Sequence, residues 1–441
     1  MSKCLLFSFL SSLIALSLLS CSTSKKSVDA EFVRELSYDI PEKNSEAALK
    51  KPITILISID GYRWDYNSLF NPPNLTNLER TGIAARSLKP SYPAKTFPSH
   101  YTLVTGVKPT KHGIVSNEFY DPDLKKSFAV DERLAVEDPN FYLAEPLWIT
   151  AQKNGMRTAS YFWIGSETAI QGMLPNSYYR FSQQISAAAE VDQILEWIRL
   201  PEDVRPHLIL GYLPEVDLAG HRYGTKSNEL KTAVLAVDSE IGRLRLAIQE
   251  SGLPVNLIVV SGQGMQDLEK QKTILIDESS EVAALLPKFQ IKGRGPQMLL
   301  YLNAGESPLV KTAMRNALQN YAQANKKPFR VLMTRKELGR LQYDGSNRVG
   351  DLVLEPELPW VIGTKASAPG TTGANHGWDS KHLSMHGIFY AEGPAFKKHG
   401  LLPALDSVNV APLVLKTLGL PEPKGLDGKA TAFKDILAPG K

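Results

Sequence analysis

The chain has 441 residues, 43% of them hydrophobic and 22% charged. That balance excludes collagen, coiled coil and long disorder, and the length allows one large α/β domain or two to three smaller ones. Its 50 basic and 46 acidic side chains leave a formal charge of +4 without a basic block, so a nucleic-acid polymer is not an expected partner.

Cys4 and Cys21 are the two cysteines, and both lie at the N-terminus. A disulfide framework, a cysteine nucleophile or a thiolate metal site is thereby excluded from the body. The start reads Met-Ser-Lys, then an apolar stretch from Leu5 to Leu19, then Ser20-Cys21-Ser22. This is the pattern of an export signal, and it is shorter than the ~20 apolar residues of a spanning helix. Leu18-Leu19-Ser20-Cys21 resembles a bacterial lipobox, with Cys21 as the lipidated residue. A plain cleaved signal with a chance cysteine is the alternative. The lipobox reading predicts a lipoprotein signal peptide over 1–20 and a polar tether over 21–50. It also predicts an exported protein held to the membrane by its lipid, at the outer membrane if the host is Gram-negative.

The body, 51–441, opens on Ile53–Ile59, a β-branched run that fits a strand buried on both faces. Similar runs occur at Leu208–Leu213, Val255–Ser261 and Gly387–Ala391. Helical patterns cover Ala187–Ile198, Asn228–Glu250, about Leu309–Gln323 and Val408–Leu418, the last with a cap at Asp406 or Ser407. Strands alternating with helices predict a central, mostly parallel sheet covered by helices on both faces. The stretch of about 266–365 reads as a small peripheral α+β insertion.

In open α/β sheets, ligands collect at the carboxyl ends of the strands. Asp60 follows the first run; Asp217 and His221 follow the second; Asn375-His376 lies in a later Gly-rich loop. The i, i+4 spacing puts Asp217 and His221 on one helical face. Carboxylates and imidazoles arriving from distant segments are the donor set of a zinc-type site. Thr96 stands at the start of a predicted helix running to Thr105-Gly106, where free N–H groups suit a phosphate. Each residue also has a plainer reading: Asp60 and Asn117 as turn residues, Thr96 as a helix cap, His221 and His376 as ordinary histidines.

The motifs resemble the nucleotide pyrophosphatase/phosphodiesterase family of the alkaline phosphatase superfamily. They are Ser58–Arg63, Pro93–His100, His112–Asn117, Glu215–His221 and Asn375–Asp379, joined by Trp163–Glu167, Asn347–Asp351 and Phe389–Phe396. The resemblance implies an alkaline-phosphatase-like fold and a small phosphodiester or nucleotide substrate. It implies two zinc ions, one on Asp217, His221 and His376, the other on Asp60, Thr96 and an Asp-His pair after the third strand. Thr96 would be the nucleophile of a phospho-threonine intermediate, with Lys95 and Asn117 among the catalytic residues. Asn117 would also bind substrate, and Phe97 would pack on a nucleobase.

The chain departs from the family where that Asp-His pair belongs, since it carries Gly262-Gln263. Glycine offers no ligand, and a glutamine carbonyl is a poor substitute for imidazole. The expectation is a type I phosphodiesterase/nucleotide pyrophosphatase-like hydrolase, with one zinc site complete and the second defective. The alternative is a catalytically impaired member that binds a phosphate ligand or a partner. Sulfatase chemistry is disfavoured, because no cysteine is available in the body to become formylglycine.

Overall fold

The computed structural model describes residues 32–33 and 41–438. Cys21, the predicted leader before it and most of the predicted tether lie outside the described residues.

Nine strands form the central sheet. In chain order they are β1 (Phe32–Val33), β2 (Ile53–Ile59), β3 (Ile83–Ala85), β4 (Thr158–Tyr161), β5 (Ser177–Tyr179), β6 (Leu208–Leu213), β7 (Val255–Val260), β8 (Phe389–Glu392) and β9 (Gly400–Leu402). Their spatial order is β1-β5-β4-β6-β2-β7-β8-β3-β9. The run β5-β4-β6-β2-β7 is parallel throughout. β8 enters antiparallel to both of its neighbours, and β1 is antiparallel at the opposite edge.

Alternation along the central strands builds two cores. Ile53, Ile55, Ile57 and Ile59 face one side, with Ile209, Leu257 and Val259 from the neighbouring strands. Helices α2 (Ala187–Arg199) and α4 (Asn228–Ser251) cover that side. Leu56, Leu210, Ile258 and Val260 face the other, under α1 (Thr96–Thr105) and α6 (Val410–Thr417). A strand buried on both faces is mostly apolar, and the two polar residues of β2 are hydrogen-bonded, Thr54 to the Thr417 hydroxyl and Ser58 to His100. The result is the helix-flanked α/β architecture.

Between β7 and β8 lies a unit with its own core. A four-stranded antiparallel sheet (Phe289–Lys292, Met298–Leu302, Leu352–Pro356, Phe329–Leu332) packs on α5 (Leu309–Ala324) through Met298, Leu300, Met314, Leu318 and Leu354. Residues 41–50, expected within the tether, pack instead against the body. The Asn44 side chain donates to the carbonyls of Glu202 and Arg205, and it accepts the Arg157 N–H.

Candidate active site

The sheet delivers its chemistry at the carboxyl ends of β2, β6 and β7. Asp60 follows β2 directly, and Gly61 turns the chain at φ +69°. A β-carbon at Gly61 would sit 2.7 Å from the Asp217 Cα, so only glycine lets the two loops meet so closely. Helix α3 (Glu215–Tyr223) follows β6 and carries Asp217 and His221 one turn apart.

The three predicted ligands of the complete site converge. His221 Nε2 lies 3.4 Å from Asp217 Oδ2, and His376 Nε2 lies 3.3 Å from Asp217 Oδ1. Each ring donates its Nδ1–H to a backbone carbonyl, His221 to Ala374 and His376 to Ala94. Both Nε2 atoms therefore present lone pairs, and they face each other at 3.1 Å. Asp217 Oδ1 is buried without a hydrogen-bond donor. Two lone pairs and a carboxylate converging on one point call for a cation, and carbonyl-anchored imidazoles are how metal-binding histidines are held. Burial pushes the Asp217 carboxyl up, but His221 and His376, when protonated, outweigh it and hold Asp217 below the usual carboxylate range. This donor set fits a zinc ion.

Thr96 opens α1, with Lys95 as the residue before the helix. The Phe97 N–H donates to Asn117 Oδ1 at 3.0 Å, which commits the oxygen and leaves the amide NH2 as the end able to donate to a ligand. Lys95 is buried and donates to the Ser116 hydroxyl; burial pulls its ammonium down to about 8. Lys95, Thr96, Phe97, Asn117, Asp217, His221 and His376 line one cleft of about 780 Å³.

Asp60 lies beneath that cleft and is fully buried. Its Oδ1 accepts the Gly61 N–H and the Gln263 side-chain amide, and its Oδ2 accepts the Tyr212 hydroxyl. His100 fills the space beside Gly262, where an added β-carbon would stand 2.4 Å from its Cε1. That imidazole is engaged at both nitrogens, with Thr96 O and with the Ser58 hydroxyl. The second metal site is thus incomplete in its ligands, and the one carboxylate left to it is held by N–H and O–H donors. Asp267 is not within this network; its carboxylate receives the Thr225 N–H and hydroxyl.

Sequence reasoning missed Tyr212, Phe162 and Phe181, and it gave no role to His100, the last residue of the Pro93–His100 motif. Tyr212 sits in a strand run that reads as core, while the two phenylalanines lie in loops without a spacing signal. Phe162 and Phe181 pack edge to face and line the cleft. Glu167 lines it too, with its carboxyl pushed up to about 7 by burial and by Glu137.

Residues 54–379 match the family model for type I phosphodiesterase / nucleotide pyrophosphatase. The chain belongs to that family. It is 28% identical to rat ectonucleotide pyrophosphatase/phosphodiesterase family member 3 over 426 residues, covering 93% of this chain and 46% of the relative. Human family member 1 is 30% identical over 403 residues, covering 89% and 42%. Venom phosphodiesterase 2 of Crotalus adamanteus is 27% identical, covering 91% and 50%. The chain thus spans about half the length, or less, of these relatives. Among solved structures, murine ectonucleotide pyrophosphatase/phosphodiesterase 5, in an inactive form with AMP, superposes with a TM-score of 0.79 at 28% identity, over 88% of this chain and 100% of that one. The fold is that of a type I phosphodiesterase-like hydrolase with an incomplete second metal site.

These findings correct one group of expectations. The relatives are mammalian and snake proteins, so the bacterial lipoprotein form of the family is not supported. Lipidation at Cys21, the lipid-anchored membrane partnership and the exported outer-membrane location are withdrawn with it. A four-residue match such as Leu18–Cys21 carries little information by itself. Among the described residues, no helix is long and apolar enough to cross a membrane.

Proposed function

We propose that this chain is a one-metal member of its family, which binds a nucleotide-type phosphate ester in the cleft and is impaired in its hydrolysis. The observation that carries this reading is the hydrogen-bonded Asp60. Gln263 and Tyr212 direct donors at the carboxylate that a second cation would need. Moving those donors aside would strand buried polar groups, at roughly 1–3 kcal/mol each.

What the cleft retains is a phosphate cradle. A zinc ion on Asp217, His221 and His376 would supply positive charge to a phosphoryl oxygen. Asn117 has its amide NH2 to donate, and the head of α1 adds the Thr96 N–H and the positive end of its dipole, the Phe97 N–H being taken by Asn117 Oδ1 and residue 98 being proline. Phe97, Phe162 and Phe181 offer apolar surface for a base or similar ring. The AMP held by the murine relative is of the chemical class this reading assigns.

Hydrolysis through a phospho-Thr96 intermediate is the second reading. It is favoured by the place of Thr96 at the head of α1, beside Lys95 and Asn117 in the cleft. Against it, His100 is committed at both nitrogens and is not available as a base.

The two readings separate on the zinc-loaded protein. AMP binding is measured by calorimetry, and turnover is measured with a p-nitrophenyl phosphodiester. Binding that needs Asp217, with a rate that Thr96→Ala leaves unchanged, is the expected result. A rate that zinc supports and Thr96→Ala abolishes would establish the hydrolase.

A further inference from the structure

The loop Lys292–Pro296 belongs to none of the motifs above, yet Gly293, Arg294 and Pro296 form part of the cleft wall. It joins two strands of the inserted unit and reads Lys-Gly-Arg-Gly-Pro. The loop is fixed on all sides. Gly293 and Gly295 take φ of +74° and +87°, which favours glycine at both positions. The Gly293 N–H donates to Glu118 Oε2, and Gly295 exchanges both of its backbone hydrogen bonds with Ile362. The buried Gln297 that follows accepts from the Ser116 hydroxyl and donates to that of Tyr92.

On this fixed loop Arg294 is the exposed residue. Its guanidinium donates one hydrogen bond, to the Ser367 hydroxyl at 3.2 Å. Its neighbour Gly295 lies against the Asn375 amide, where an added β-carbon would approach to 3.3 Å, and Asn375 immediately precedes His376. Arg294 therefore stands beside the segment that carries His376, one of the three metal ligands. Among the described residues lining the cleft, Lys95 and Arg294 alone are lysine or arginine. Lys95 is buried in the floor against Ser116, so an anionic group reaching past the bound phosphoryl meets Arg294. Asp131 and Glu167 also line the cleft, and Glu118 lies beside the loop itself, with its Oε2 engaged by the Gly293 N–H.

We propose that Arg294 is a specificity-determining residue, which pairs with a second anionic group on the ligand and makes the cleft favour a phosphoanhydride over a simple phosphate monoester. The proposal rests on the phosphate-ester reading of the cleft. A guanidinium fork matches two phosphoryl oxygens at once, and the Ser367 hydroxyl it leaves can be hydrated.

The test uses the zinc-loaded full chain at 0.15 M salt, titrated calorimetrically with AMP and with the α,β-methylene analogue of ADP. The analogue should bind about tenfold more tightly than AMP. Arg294→Gln should bring that ratio down to about one, and Arg294→Lys should leave part of it. Lys292→Gln serves as the control for the general charge of the loop. An unchanged ratio in Arg294→Gln overturns the assignment, as does an equal fall in Lys292→Gln. Binding of neither nucleotide to the wild type overturns the reading of the cleft, and the role of Arg294 with it.

Discussion

Gln263 holds Asp60: its side-chain amide donates to Oδ1 at 2.5 Å, while the Tyr212 hydroxyl takes Oδ2. A carboxylate buried to this depth must be neutralised or hydrogen-bonded, and here neutral donors do what a cation would otherwise do. Where positions 262 and 263 carry glycine and glutamine, the Asp60 carboxylate thus has hydrogen-bond partners from the chain itself.

The protein should accordingly hold one zinc per chain after dialysis, as counted by elemental analysis. Saturating zinc should raise the unfolding free energy by about 3 kcal/mol at a hundredfold excess over its dissociation constant. Asp217→Asn should remove both the bound ion and the stabilisation. Two zinc ions per chain would contradict the account given of Asp60.

Gly262→Ala should destabilise the fold by roughly 1–3 kcal/mol in denaturant titrations, because its β-carbon meets His100. His100 is packed edge-on against Trp163 and Tyr212 and cannot swing aside without loss. A neutral substitution would show that the ring relocates freely.

Arg348 gives a third prediction. It is buried, with Nε on Asp121 and its other nitrogens on the carbonyls of Gly113, Asn140 and Phe141. Arg348→Met strands Asp121 and three carbonyls, and should cost roughly 3–5 kcal/mol. Thermal unfolding with and without AMP would measure both the loss and any loosening of the neighbouring Asn117 segment.

Glu167 sets a pH dependence. Burial, with Glu137 beside it, raises its folded pKa from 4.5 to about 7, against the opposing charges of Arg133 and Arg180. Between these two values the folded state binds more protons than the unfolded chain, so stability falls as pH rises from about 4.5 to about 7. Glu167→Gln should flatten that part of the profile and gain about 2–3 kcal/mol at pH 8 at most. Unfolding midpoints across pH 4–9 for both proteins would reveal it, and parallel profiles would refute it.

Much of this was legible in the sequence where one residue type serves one local need. The predicted bounds of β2 and β6 coincide with the observed ones, because strands buried on both faces are mostly apolar and end where the polar loop begins. Helix α1 begins at Thr96 and ends before Gly106, which adopts the left-handed conformation expected of a C-cap. Asp217 and His221 were readable together because helical spacing fixes their common face. Direction and distance were less readable. Nothing local in Phe389–Glu392 tells that β8 runs against β7, and strands as short as Ile83–Ala85 carry no periodic signal. The bonds of Gln263 to Asp60 and of Gln297 to Ser116 span 203 and 181 residues, and a glutamine looks the same to the sequence whether it is buried or bathed in water.

The anchoring of Gly293 to Glu118 and of Gln297 to Ser116 also bears on how this scaffold can be redesigned. The unit between β7 and β8 looks like a cassette to be exchanged, having its own sheet, helix and apolar interior. A graft from another relative would bring a foreign rim to the ligand, and would break the contact that steadies the segment preceding Asn117. Ligand preference and the set of the Thr96 loop would be inherited together, from a piece of chain that begins on the far side of β7.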